Sequence, residues 1–174
     1  SGPYAITPDL NQTNDLLNKT RQVLEGGVKL VQYRNKSANE SLRREQAKLL
    51  LSLCREYNAL LIINDHLEIA IEIDADGVHV GKNDVSVSAA KNQLGQNKIV
   101  GTSCYNQLDL AMQAQKDGAD YIAFGAFFSS LTKPNAVSVS ISLVNQAQKA
   151  LSIPIVGIGG IQLTNARTVI QSGC

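Results

Sequence analysis

Charge imbalance is almost absent from this chain: 16 Lys and Arg stand against 15 Asp and Glu, a net +1. Bulk charge therefore advertises neither nucleic acid nor an anionic membrane as a partner. Cysteine is scarce, and Cys54, Cys104 and Cys174 are too scattered for a zinc site or a disulfide framework. No apolar run approaches the ~18 residues of a membrane-spanning helix, and nothing at the start reads as a signal peptide. What is present is material for a core. Hydrophobic residues make up 44% of the 174 positions and charged ones 18%, which excludes a disordered chain. One soluble, cytoplasmic domain spanning residues 1–174 is the expectation.

Short apolar runs alternate with longer amphipathic stretches along the whole length. The runs cover residues 4–6, 30–33, 60–63, 78–80, 99–102, 121–124 and 155–158. They are unbroken by charge, as parallel strands buried on both faces should be. Between them lie helical patterns such as 40–57, where Leu42, Ala47, Leu50 and Leu53 recur near helical spacing and Asn39 or Ser41 suits the N-cap. The chain also repeats itself. Gly26-Gly27-Val28-Lys29-Leu30, Asp74-Ala75-Asp76-Gly77-Val78 and Asp117-Gly118-Ala119-Asp120-Tyr121 each end a helix, turn, and start a strand. Such repeated units predict an α/β fold of the (β/α)8 TIM-barrel class, with an open doubly wound sheet as the alternative. Gln171-Ser172-Gly173-Cys174 begins the same grammar again, so an eighth βα unit is expected beyond Cys174 and the single barrel domain is expected to be incomplete at its C-terminal end.

In a barrel the chemistry sits at the C-terminal ends of the strands. After the second run, Gln32, Arg34 and Lys36 alternate along an extended segment, so period two brings two cations and an amide to one side. That set suits a diphosphate, which Arg grips with its fork and Lys meets as a point charge. A solvated loop with ordinary surface cations is the plain alternative. Asn64-Asp65-His66 follows the third run, and Gly81-Lys82-Asn83-Asp84 follows the fourth. Two carboxylates on successive strand ends fit a magnesium ion, which is usually held by one or two carboxylates plus substrate phosphates. Either Asp could instead cap a helix. Ser103-Cys104-Tyr105-Asn106 reads as a polar loop after the fifth run, in which Ser103 either touches phosphate or caps a turn. Cys104 reads as a small buried thiol and His79 as a core histidine. The hydroxyl-rich stretch Ser129-Ser130-Leu131-Thr132-Lys133 resembles a phosphate-binding lid, and Gly157-Ile158-Gly159-Gly160, ahead of a helix from about Thr164, offers backbone N–H groups to a second phosphate.

Taken together, Tyr4-Ala5-Ile6-Thr7, Gln32-x-Arg34-x-Lys36, Ile63-Asn64-Asp65, Asp76-Gly77-Val78-His79-Val80-Gly81, Asp84, Gly118-Ala119-Asp120-Tyr121, Thr132-Lys133-Pro134 and Ile158-Gly159-Gly160-Ile161 resemble the thiamine phosphate synthase family over essentially the whole chain. The resemblance implies a magnesium-dependent transferase. It joins an aminomethylpyrimidine diphosphate to a thiazole phosphate, giving thiamine phosphate and pyrophosphate. By that resemblance Gln32, Arg34, Lys36, Asn64, Ser103 and Lys133 would bind the pyrimidine diphosphate, with Lys133, Ser103 and Arg34 as the catalytic residues. Asp65 and Asp84 would hold Mg2+, and Ser130, Thr132 and Gly160 the thiazole phosphate. Its partners would be these small molecules, with no nucleic acid and no membrane, and a homo-oligomer is compatible with it. Two positions depart from the family pattern: Ser130 stands where Thr is common, and Cys104-Tyr105 where Thr-His is frequent. The competing functions are a thiazole tautomerase-type relative and a non-catalytic phosphate-binding relative of the same fold.

Overall fold

The computed structural model describes residues 2–128 and 139–174. Among these residues seven strands, β1 (Tyr4–Ile6), β2 (Leu30–Tyr33), β3 (Leu60–Asn64), β4 (Gly77–Val80), β5 (Ile99–Tyr105), β6 (Tyr121–Gly125) and β7 (Ile155–Ile158), alternate with seven helices. The helices are α1 (Thr13–Glu25), α2 (Glu40–Glu56), α3 (Leu67–Glu72), α4 (Val87–Leu94), α5 (Leu108–Lys116), α6 (Ile141–Ala150) and α7 (Ala166–Gln171). The sheet order is β1-β2-β3-β4-β5-β6-β7, and the registered pairs are parallel. That order decides the fold class. A doubly wound sheet reverses its strand order at a switch point, whereas strands that follow one another in sequence order belong to the TIM-barrel class.

The repeated grammar has one physical cause. At five helix ends the chain turns through a left-handed residue: Gly27, Asn58, Asp74, Gly118 and Gly173, with φ of 90°, 50°, 55°, 93° and 99°. Each donates its N–H three residues back, and the next residue donates five back. Gly118 N–H bonds the Gln115 carbonyl at 3.1 Å and Ala119 N–H the Ala114 carbonyl at 2.9 Å. This pair of hydrogen bonds satisfies orphan carbonyls of the helix end and turns the chain out of the helix. Two of the strands that follow are then clasped by an Asp. Asp76 N–H bonds the Leu61 carbonyl at 3.1 Å, while its carboxylate accepts from Leu61 N–H at 2.8 Å. Asp120 treats Val100 alike, at 2.8 and 2.7 Å. Buried Lys91 adds its ammonium to the Asp120 carboxylate at 2.6 Å.

The chain packs as two compact units. The first runs to His79 and includes Asn92–Ile99; the second comprises Val80–Lys91 and Val100–Cys174. In the first, α1 and α2 cover β1–β3 with Leu16, Leu24, Leu50 and Leu53, while Leu61, Ile62 and Ile63 are wholly enclosed. In the second, Val100, Ile122, Phe124, Ala111, Val144 and Ala147 form the interior. Asn39, not Ser41, caps α2, accepting from Leu42 N–H at 2.9 Å. Strand β5 runs three residues past its expected end, so Ser103, Cys104 and Tyr105 belong to a strand and not to a loop. Its register with β6 shifts between Ser103 and Tyr105, and Tyr105 is left-handed at φ 55°. An irregular strand end of this kind hides the polar–apolar alternation that marks a regular one. Helix α7 starts at Ala166, two residues later than the sequence suggests, because Asn165 first closes a turn onto Gln162 N–H at 2.7 Å. Among the described residues no helix is long and apolar enough to cross a membrane.

Candidate active site

In the first unit, alternation sorts the segment after β2 as the sequence demands. Tyr33 and Asn35 turn toward α2. There Gln46, fully buried, accepts from the Tyr33 hydroxyl at 2.8 Å and from Asn35 Nδ2 at 3.1 Å. Gln46 Nε2 donates to the Leu10 carbonyl at 3.0 Å. Asn35 Oδ1 accepts from Ser37 N–H, the Ser37 hydroxyl and Ala38 N–H at 2.9–3.2 Å, winding the loop around its own side chain. Burial in this site pushes the Tyr33 phenol up to about 12, against a smaller opposing pull from the Arg43 charge.

Gln32, Arg34 and Lys36 have the opposite parity. Gln32 is buried and donates through Nε2 to the Tyr4 hydroxyl at 2.9 Å. Arg34 is half-buried and reaches Asp9 through Nη1, at 3.1 and 3.2 Å to the two carboxylate oxygens. Lys36 is exposed, and its backbone N–H bonds the same Asp9 at 3.0 Å. On the neighbouring parallel strand Asn64 closes β3 opposite His79 of β4. Asp65 follows at φ 64°, its N–H on the His79 carbonyl at 2.8 Å. Left-handed backbone is costly for most residues and tolerated by Asp, so the chain can bend sharply as it leaves β3. Gln32, Arg34, Lys36, Asn64 and Asp65 thus share the C-terminal ends of adjacent strands. His66 occupies the N-cap position of α3 without a side-chain capping bond.

In the second unit, Asp84 closes the turn after β4, its carboxylate accepting from Gly81 N–H at 2.7 Å. It does not cap α4; Ser86 does, from Ala89 N–H at 3.3 Å. Ser103 is half-buried near the end of β5. Cys104 beside it is enclosed, its thiol pushed up to about 12 by burial, which fits the small buried thiol expected. The glycine turn after β7 lies directly on the backbone that leaves β6. Phe128 N–H donates to the Gly159 carbonyl at 3.1 Å, and a Cβ on Gly160 would stand 2.6 Å from the Phe128 carbonyl oxygen. Gly159 and Gly160 are both left-handed, at φ 97° and 63°, so close approach and backbone conformation both demand glycine. Ser130, Thr132 and Lys133 lie outside the described residues. Asp9, Asn35 and Gln46 were given no role by the sequence, and Thr7 entered only within the Tyr4-Ala5-Ile6-Thr7 motif. Gln46 left a signal of its own, a polar residue set on the apolar stripe of α2 beside Ala47 and Leu50.

A family model described as thiamine monophosphate synthase matches residues 3–174. The chain belongs to the thiamine monophosphate synthase family. The thiamine-phosphate synthase of Nitrosomonas eutropha is 53% identical over 174 residues, covering all of this chain and 82% of that one. That of Nitrosospira multiformis is 51% identical over 173 residues, covering 99% and 74%. Among solved structures, a thiamine phosphate pyrophosphorylase from Pyrococcus furiosus superposes with a TM-score of 0.86 at 35% identity, over 98% of this chain and 80% of that one. The family's fold and the strand order found here agree.

Proposed function

We propose that the strand-end residues bind a pyrimidine diphosphate and a thiazole phosphate and hold them while they are joined. The chain is an enzyme, a transferase of the thiamine-phosphate synthase type. In the reaction the bond from the pyrimidine methylene carbon to the diphosphate oxygen breaks, and its electron pair leaves with pyrophosphate. The thiazole nitrogen supplies the pair for the new bond. No side-chain nucleophile is required; positioning and neutralisation of the departing charge carry the rate.

Arg34, Lys36, Gln32, Asn64, Ser103 and Lys133 take the diphosphate in this reading. Arg34, Ser103 and Lys133 meet the charge that develops on the leaving oxygen. Ser130, Thr132 and Gly160 take the thiazole phosphate. The observation that carries the reading is the preset Arg34. Its backbone and one guanidinium nitrogen are fixed at the end of β2, beside the strand that ends at Asn64, just before Asp65.

Asp65 and Asp84 fit Mg2+ by donor chemistry, since both offer hard carboxylate oxygens. Among the described residues no cluster of three or more His, Cys, Asp or Glu exists that could hold an ion alone. The protein would supply two ligands and substrate oxygens the remainder, as magnesium sites beside phosphates usually do. When bound, the ion would neutralise part of the diphosphate charge. We also propose a cytoplasmic location, because both substrates are multiply charged small molecules that do not cross a bilayer unaided.

A coupling assay with both substrates and Mg2+ tests the reading. Synthesis of thiamine phosphate is expected, with Arg34→Ala lowering kcat/KM by about 10²-fold, as loss of one positioned charge does. Binding of both substrates without coupling would point to a phosphate-binding relative. Conversion of the thiazole phosphate alone would point to a tautomerase-type one.

A further inference from the structure

The β1–β2 pairing does not stop where the strands do. Thr7 N–H bonds the Gln32 carbonyl at 2.9 Å. The Thr7 hydroxyl then donates to the Arg34 carbonyl at 3.0 Å and accepts from Arg34 N–H at 2.9 Å. Two residues on, Asp9 accepts from Lys36 N–H through Oδ1 at 3.0 Å and takes the Arg34 guanidinium with both oxygens. The chain leaving β1 is therefore a side-chain template for the segment that carries Arg34 and Lys36.

Asp9 could restrain Arg34 for a ligand or compete with the ligand for it. The geometry separates these. Both carboxylate oxygens lie on Nη1, at 3.1 and 3.2 Å, and among the described residues nothing else accepts from Arg34 Nε or Nη2. The Nε–Nη2 edge is the planar fork that fits two phosphate oxygens at once. An anion can take that edge without displacing Asp9. We propose that Asp9 is a positioning residue: it anchors one nitrogen of Arg34 so that the opposite fork is already set for the substrate diphosphate. The proposal rests on the assignment of Arg34 to diphosphate binding. The gain is entropic, since a long side chain ordered in advance is not ordered at the moment of binding, and an immobilised side chain of this kind is worth about fivefold to tenfold in affinity.

Removing Asp9 also removes a negative charge near an anion, which by itself would tighten binding. Salt separates the two effects, because repulsion between exposed charges is largely screened at about 0.5 M while a lost restraint is not. The experiment is calorimetric titration of inorganic pyrophosphate with Mg2+ into wild type, Asp9→Asn, Arg34→Ala and the double variant at about 0.5 M salt. Thermal melts run alongside. Asp9→Asn keeps an acceptor for Lys36 N–H and so spares the fold. It is expected to bind pyrophosphate about fivefold to tenfold more weakly with an unchanged melting temperature, and to raise KM for the pyrimidine diphosphate more than it lowers kcat. In the Arg34→Ala background the same change should have no further effect. Tighter or unchanged binding by Asp9→Asn, or an equal loss in both backgrounds, overturns the positioning role while leaving Arg34 in place. If Arg34→Ala binds like wild type, the assignment of Arg34 falls instead.

Discussion

The ring of Tyr121 lies across Gly101, its register partner on the neighbouring strand. A Cβ at position 101 would stand 1.9 Å from Tyr121 Cζ and 2.2 Å from Cε1. Tyr121 is buried, so the ring has little room to retreat. Gly101→Ala is expected to cost about 1–3 kcal/mol, the range of an overpacked core. The clash involves ring carbons, so Tyr121→Phe gives no relief and Tyr121→Leu does. Urea denaturation of the double-mutant cycle checks this: the cost of Gly101→Ala should shrink in the Tyr121→Leu background. An equal cost in both backgrounds would mean that the strain lies in the backbone.

Tyr33 gives the fold an alkaline weakness of known sign. Its phenol is held neutral up to about 12, against an ordinary value of 10.0. Between those values the unfolded chain loses the proton and the folded one keeps it. The stabilisation is complete below pH 10 and falls as pH rises toward 12, by about 1.4 kcal/mol per unit. Tyr33→Phe removes the hydroxyl that donates to Gln46 and should lower stability by about 1 kcal/mol at neutral pH. Its stability should then decline less steeply than that of wild type above pH 10. The thiols of Cys54 and Cys104 lean the same way, so the informative quantity is the difference between the two proteins. Parallel pH curves for wild type and variant would reject the role of Tyr33.

Thiol chemistry should divide the cysteines. Cys54 and Cys104 are 0% and 1% exposed, with pKa values raised by burial to about 12. Cys174 is half-buried and its thiol is raised less severely. With a disulfide reagent at pH 8, Cys174 should react first, and all three should react at once in denaturant. Fast labelling of Cys104 in the folded protein would contradict the packing described for β5.

All seven runs became strands: β2 to β6 are largely buried and leave an unbroken apolar signature, while β1 and β7 carry the same signature although Ile6 and Ile158 are exposed. The repeat was only partly legible. Gly27 and Gly118 announce a left-handed helix end by residue type, whereas Asn58 fills the same role with an ordinary side chain and passed unnoticed. The site divides in the same way. Parity along an extended segment is fixed by backbone geometry, so Gln32, Arg34 and Lys36 could be read as one set. Asp9 lies about 25 residues from Arg34 in the chain, and only the pairing of β1 with β2 brings them together. Ser103 was misplaced into a loop because the register shift in β5 breaks the pattern that would have kept it in the strand.

The sequence-ordered sheet also bears on how the chain acquires its structure. Registered partners are separated by about 15 positions between Ile62 and Gly77 and by about 33 between Ile122 and Ile155. Each of these pairs therefore joins strands that follow one another in the chain, across one intervening helix. The closure entropy of such short spans is modest, and assembly can follow the direction of synthesis, one hairpin-sized βα step at a time.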